Sequence, residues 1–222
     1  MRRLLLAVLI TLVAIPAFAA EAPKTEEQKT MYAVGLIMAR QLSVFSLTPA
    51  ELDLVKLGLT DGIAGTKPLV DLETYGPKVQ QLAMVRNKAQ GEKQAALSKE
   101  FLEKTAKEKG AVKTDSGLIY FSLQEGKGAT PGASDTVKVN YRGTFIDGKE
   151  FDSSYKRGTP LEFKLDGVIK CWGEGVQKMK VGGKAKLVCP SSIAYGEKGT
   201  GGGAIPPNAT LVFEVELLDI KK

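Results

Sequence analysis

Apolar residues recur along this chain with two different periods, and the change between them divides the sequence. From residue 25 to 109 the spacing is helical. Met31, Val34, Gly35, Met38, Ala39 and Leu42 fall on one face of a first helix. Ser46-Leu47-Thr48-Pro49 then predicts a helix start, with Thr48 as N-cap and Pro49 at the first helical position. Glu51 stands three residues after Thr48, as a capping box requires. Leu52, Val55, Leu59 and Ile63 continue that second helix on one face, and Gly65 to Pro68 stop it. A third, long helix is predicted to begin between Asp71 and Pro77 and to run to about Lys109, with Gly110 ending it. Its middle, Arg86 to Gln94, has almost no large apolar residue and reads as a solvent-exposed bridge between domains. Its start, with Val79, Leu82 and Val85, is expected to pack with the first two helices as one small unit.

From residue 117 onward the period is two. Val137, Val139 and Tyr141 alternate with Lys138, Asn140 and Arg142. Asp147-Gly148 is a hairpin signal that leads to Glu150-Phe151. Leu161, Phe163 and Leu165 alternate again, as do Ala185, Leu187 and Cys189, and then Leu211, Phe213, Val215 and Leu217. One short helix is predicted from Trp172 to Met179, and residues 190 to 208 read as a Pro/Gly-rich loop. The fold class expected is α+β: helices first, then an antiparallel sheet wrapped on one short helix.

The three predicted helices are few and short for a core of their own, and small units of that kind often need a second copy. A homodimer through residues 25–85 is the expected remedy; the alternative is a monomeric helical unit folded back on the second part. The first twenty residues add a compartment. Met1-Arg2-Arg3 precedes an apolar run from Leu4 to Ile15, Pro16 breaks it, and Ala17-Phe18-Ala19-Ala20 follows. That pattern predicts a secretory signal peptide cut after Ala19 or Ala20. The run is shorter than the ~20 residues needed to span a bilayer, so no stable membrane insertion is expected. The alternative is an uncleaved anchor. The mature chain is therefore expected in an exported compartment, with a bacterial periplasm fitting best.

Removing Arg2 and Arg3 takes the formal charge from +6 to +4, and lysines are interleaved with glutamates, so no nucleic-acid partner is expected. The chain has no histidine, which excludes a Ser-His-Asp triad, a Cys-His pair, a His-ligated zinc and an imidazole base. Two cysteines cannot build a Cys-rich metal site, so neither metal nor cofactor is expected. Cys171 starts the short helix and Cys189 ends a strand expected near it. Export permits a disulfide between them; two buried thiols are the alternative.

Five stretches in order carry a family resemblance. They are Val139-Asn140-Tyr141-Arg142-Gly143-Thr144, Asp147 through Ser154, Val168-Ile169 with Trp172-Gly173-Glu174-Gly175-Val176, Ala194-Tyr195-Gly196, and Ile205 through Phe213. Together they resemble the FKBP family of prolyl cis/trans isomerases over essentially all of residues 117 to 220. The helical part resembles the dimerisation region of the macrophage infectivity potentiator proteins, which are periplasmic members. The resemblance implies a signal peptide over 1–20, a helical dimerisation region over 21–70, a linking helix over 71–110 and an isomerase domain over 111–222. It implies a pocket formed by Tyr141, Phe151, Val168, Ile169, Trp172 and Phe213, with Trp172 as the floor and Leu161 where many members carry an aromatic. The N–H of Ile169 and the hydroxyl of Tyr195 would hold substrate carbonyls. Asp152 would sit at the rim, hydrogen-bonded to Tyr141 or Arg157, and Ile205 would come from an overhanging loop. The implied partners are unfolded or partly folded proline-containing polypeptides. A non-catalytic chaperone that binds apolar segments between the arms of a dimer is the alternative function.

Overall fold

A computed structural model describes residues 21–221; the expected signal peptide lies outside the described residues. By packing the chain divides into two units, one ending at Ile37 and one beginning at Met38. Helix α1 spans Glu26–Gln41 and passes through that boundary. A short 3-10 turn, Leu42–Phe45, follows it. Helix α2 spans Pro49–Ala64 with the expected capping box: the Thr48 hydroxyl accepts from the Glu51 N–H, and the Glu51 carboxylate accepts from the Thr48 N–H at 2.8 Å. Gly65, in the left-handed region, ends the helix. Arg86 reaches back from the third helix, donating to the Phe45 carbonyl at 2.6 Å and pairing with Glu51. That guanidinium, with the Thr48 donors, lowers the Glu51 pKa to about 2.

No residue of α1 or α2 is buried, and Met31, Ile37, Leu54 and Ile63 stand open to solvent. Among the described residues, the apolar faces expected on these two helices are present and exposed.

Helix α3 spans Leu72–Thr105, with Asp71 as its N-cap. It stops short of the expected Lys109. Phe101, Leu102 and Ala106 turn onto the outer face of the sheet, where they meet Ile119, Phe121 and Val188, and Ala111 joins the same cluster after a turn. Both alanines are half-buried on this patch, one on each side of the turn that follows the helix. The polar middle of α3 also departs from the expected solvent-exposed bridge. Gly91 and Ser98 are buried against the following domain, so the helix docks there through small residues and hydrogen bonds rather than large apolar ones.

The rest is an antiparallel sheet of seven strands: β1 (Val112–Lys113), β2 (Ile119–Gln124), β3 (Thr136–Phe145), β4 (Glu150–Ser153), β5 (Leu161–Lys164), β6 (Lys184–Cys189) and β7 (Leu211–Lys221). Their order is β1-β2-β6-β7-β3-β4, and β5 also pairs with β3. The alternation read from the sequence sets the faces. Val137, Val139, Leu187, Val215 and Leu217 are fully buried on the inner side, as a period of two demands. Helix α5 lies across that inner face. It spans Lys170–Val176, earlier than the stretch expected, because the turn of the chain at Val168-Ile169 starts it. A further helical turn, α4 (Ser154–Arg157), was not anticipated. Leu165 opens a 3-10 turn instead of ending a strand, yet it is buried all the same.

Candidate active site

Between α5 and the β3–β4–β5 edge of the sheet lies a cavity of about 380 Å³. Its floor is Trp172, from the first turn of α5. The indole is fixed from three sides: Tyr141 and Phe213 meet it edge-on at centroid distances of 5.0 and 5.2 Å, and Phe163 lies tilted against it at 5.3 Å. Such edge-to-face pairs suit the aromatic quadrupole and lock ring orientation. Phe151 extends the wall, edge-on to Phe213 at 5.7 Å. These rings come from β3, β4, β5 and β7, so the sheet's curvature, rather than any local motif, assembles them. Trp172, Tyr141 and Phe213 are each about 5% exposed or less, whereas Leu161 at 38% and Tyr195 at 40% form the rim. Val168 and Ile169 close the lip. Ile169 is the N-cap of α5, with extended backbone, so its N–H stands outside the helix's own hydrogen-bond ladder.

The cavity has one charged member. Asp152 accepts the Tyr141 hydroxyl on one oxygen and, on the other, the Arg157 guanidinium and its neighbour's N–H, Ser153, at 2.8 Å. Arg157 also donates to the Tyr141 hydroxyl at 2.8 Å, which closes a three-membered network. Partial burial works to raise the Asp152 pKa, but the Tyr141 and Arg157 hydrogen bonds together outweigh it and hold the carboxyl below its ordinary value. Burial pushes the Tyr141 hydroxyl the other way, and its bond to Asp152 adds to the rise. At neutral pH the site thus presents an anion and an un-ionised phenol against an apolar floor.

Nine of the residues read from the sequence line this one cavity: Tyr141, Phe151, Asp152, Leu161, Val168, Ile169, Trp172, Tyr195 and Phe213. Arg157 stands behind Asp152 and does not line it. Ile205 is packed into the hydrophobic core, 5% exposed, and is not among the lining residues. Cys171 and Cys189 are disulfide-bonded, with Cα atoms 5.7 Å apart, so α5 is tied to the end of β6 beside the floor. Two contributors went unread. Phe163 backs the indole, and its place on the same strand face as Leu161 was the available signal. At Gly143 a Cβ would come within 2.8 Å of Phe151 and 3.0 Å of Phe213, so only glycine lets both rings approach; nothing local marks that.

Comparison with known proteins gives the family. Residues 127–218 match the family model for FKBP-type peptidyl-prolyl cis-trans isomerase, and residues 27–121 match the domain amino-terminal to it. The chain is 45% identical to the FKBP-type peptidyl-prolyl cis-trans isomerase FkpA of Escherichia coli, covering 93% of this chain and 81% of that protein. It is 39% identical to the FKBP-type 22 kDa peptidyl-prolyl cis-trans isomerase of the same organism, covering 88% of this chain and 96% of the relative. The crystal structure of FkpA superposes with a TM-score of 0.67 at 43% identity, over 90% of this chain and 99% of that one. A peptidyl-prolyl cis-trans isomerase from Pseudomonas syringae gives 0.55 at 36% identity, over 59% and 96%. With both domain models matched and identity at this level over nearly its whole length, the chain belongs to the FKBP-type peptidyl-prolyl cis-trans isomerases.

Proposed function

We propose that this isomerase acts on proline-containing segments of unfolded or partly folded exported polypeptides, that the Trp172 cavity is its site, and that it works as a periplasmic homodimer. The observation that carries the site is the convergence of three aromatic rings on one indole beside a single buttressed carboxylate.

The chemistry fits such a site. Turning an X-Pro amide means breaking its resonance, a barrier of roughly 18–20 kcal/mol that makes spontaneous exchange slow. The planar amide is charge-separated and favoured by water; the twisted one is less polar. An apolar, water-poor cavity therefore stabilises the twisted form relative to the planar one, with no nucleophile, metal or imidazole. In this reading the proline ring packs on Trp172 between Tyr141 and Phe213. The Ile169 N–H and the Tyr195 hydroxyl hold carbonyls on either side of it. Asp152, kept ionised by Tyr141 and Arg157, faces the turning amide. A proline-peptide exchange assay tests the assignment: Trp172→Ala and Asp152→Ala are each expected to slow exchange at least tenfold. Rates equal to wild type in both would remove the activity from this cavity.

The homodimer is supported by the apolar faces of α1 and α2, which are exposed among the described residues. Residues 21–70 then serve as the dimerisation region, 71–110 as the linking helix and 111–222 as the isomerase domain. Export is supported by the charged, apolar and small-residue pattern of residues 1–20. The second reading is a non-catalytic chaperone that binds exposed apolar segments of clients between the arms of the dimer. A Trp172→Ala protein that suppresses aggregation as well as wild type would separate this from isomerisation.

A further inference from the structure

The segment between β6 and β7 carries Tyr195 to the cavity rim, yet it has few apolar anchors. Ile193, Ile205 and Pro207 are buried, while Tyr195 and Gly201–Ala204 are exposed. Its backbone closes on itself at two rungs. Thr200 N–H donates to the Ile205 carbonyl at 3.0 Å, and Asn208 N–H donates to the Gly196 carbonyl at 3.0 Å. Gly196 directly follows Tyr195 and its N–H donates to the Ser191 carbonyl at 2.8 Å, so the Asn208 rung is the second of two ties that fix the backbone beside Tyr195.

Asn208 is in turn held from outside the domain. Its Nδ2 donates to the Gly91 carbonyl of α3 at 3.2 Å. Its own carbonyl accepts from Ser98 Oγ, also of α3, at 3.0 Å, and that oxygen accepts from Thr210 N–H at 3.2 Å. Gly91 and Ser98 lie two turns apart and so share one face of the helix. Ser98 is 6% exposed, which keeps water from competing for its bonds. A Cβ on Gly91 would come within 3.3 Å of both Asn208 Nδ2 and Pro207. Local propensity disfavours the helical partner in this contact: glycine costs about 1 kcal/mol in a helix interior. Asn208 sits at φ +57, a region that asparagine tolerates better than other side chains. Gly91 therefore serves the meeting of helix and loop rather than the helix itself.

We propose that Ser98 and Asn208 are positioning residues for prolyl isomerisation: through them α3 holds the Tyr195 hydroxyl over the cavity. The helix that precedes the isomerase domain is thereby part of its active-site support. The inference rests on Tyr195 as a donor to substrate carbonyl.

Three variants of the full chain test it. Asn208→Gly keeps the positive φ and loses the amide; Ser98→Ala loses the hydroxyl; Tyr195→Phe loses the donor. kcat/KM is measured on a short prolyl peptide, with urea midpoints to confirm folding. Asn208→Gly and Ser98→Ala are each expected to lower kcat/KM about three- to tenfold, the rate equivalent of one well-placed hydrogen bond. In a Tyr195→Phe background they should lower it no further, a non-additivity that loss of fold stability alone would not produce. If Tyr195→Phe is slow but Asn208→Gly and Ser98→Ala match wild type, or if the losses simply add, the positioning role is overturned while the donor role stands. If Tyr195→Phe itself matches wild type, the donor role falls and takes this inference with it.

Discussion

Reducing the Cys171–Cys189 bond should destabilise the isomerase domain by about 3 kcal/mol. The two residues are 18 apart in sequence. In the chain-entropy treatment a loop of that length costs the unfolded chain roughly 2.1 + 1.5R ln 18, or about 11 cal/mol/K, which is about 3 kcal/mol at 25 °C. Both side chains are fully buried, so comparing oxidised with reduced wild type removes the cross-link without opening a cavity as an alanine pair would. Burial also means that reduction must be done in denaturant, with refolding under reductant. The readout is built in. Trp172 is the only tryptophan of the chain, it neighbours Cys171, and it lies under the rings of Tyr141, Phe163 and Phe213. Its fluorescence therefore reports this domain and not the helices. With a urea slope of about 1.5 kcal/mol/M, ordinary for a domain of this size, the midpoint should fall by about 2 M. Coincident curves, or two free thiols counted in denatured, unreduced protein, would refute the reasoning.

Gly143→Ala places a methyl 2.8 Å from Phe151 and 3.0 Å from Phe213; we expect a loss of about 1–3 kcal/mol from overpacking, with a raised KM as both rings are pushed into the cavity, read by melting and peptide kinetics. Asp152 titrates below its ordinary value and Tyr141 above its own, and the chain has no histidine; kcat/KM should therefore be level from about pH 5 to about pH 9, and a bell-shaped profile centred near neutrality would contradict this site. The same shift sets a stability rule. The stabilisation from ionised Asp152 is complete above the unfolded carboxyl pKa of about 3.9 and is lost as pH falls through its depressed folded value, so urea midpoints should drop below about pH 4 more in wild type than in Asp152→Asn. Met31→Glu with Met38→Glu charges the exposed face of α1; sedimentation should show a monomer where wild type is a dimer, with exchange on short peptides unchanged.

What could be read ahead of the coordinates was whatever short sequence separations or alternation decide. The capping box of α2 depends on Thr48 and Glu51 alone, three residues apart, and it formed as read. Strand faces follow from a period of two, so the burial of Val137, Val139 and Tyr141 needed no knowledge of their partners. The pocket residues were legible as a set because five short stretches carry a family resemblance; the chemistry of any one of them is mute. Phe163 escaped because alternation alone cannot tell a ring that backs an indole from one that merely fills a core.

Residue type, period and local hydrogen bonding were enough for the helical and sheet halves and for the exclusion of imidazole chemistry, while the apolar cavity was legible only through the family resemblance. Tertiary structure alone decided where α3 ends, that its polar middle docks rather than bridges, and that Ile205 sits in the core. Those outcomes depend on contacts between residues far apart in the chain, such as Gly91 with Asn208 and Ser98 with Thr210. Small and polar side chains make such contacts by shape and direction, and a one-dimensional pattern of apolar positions carries neither.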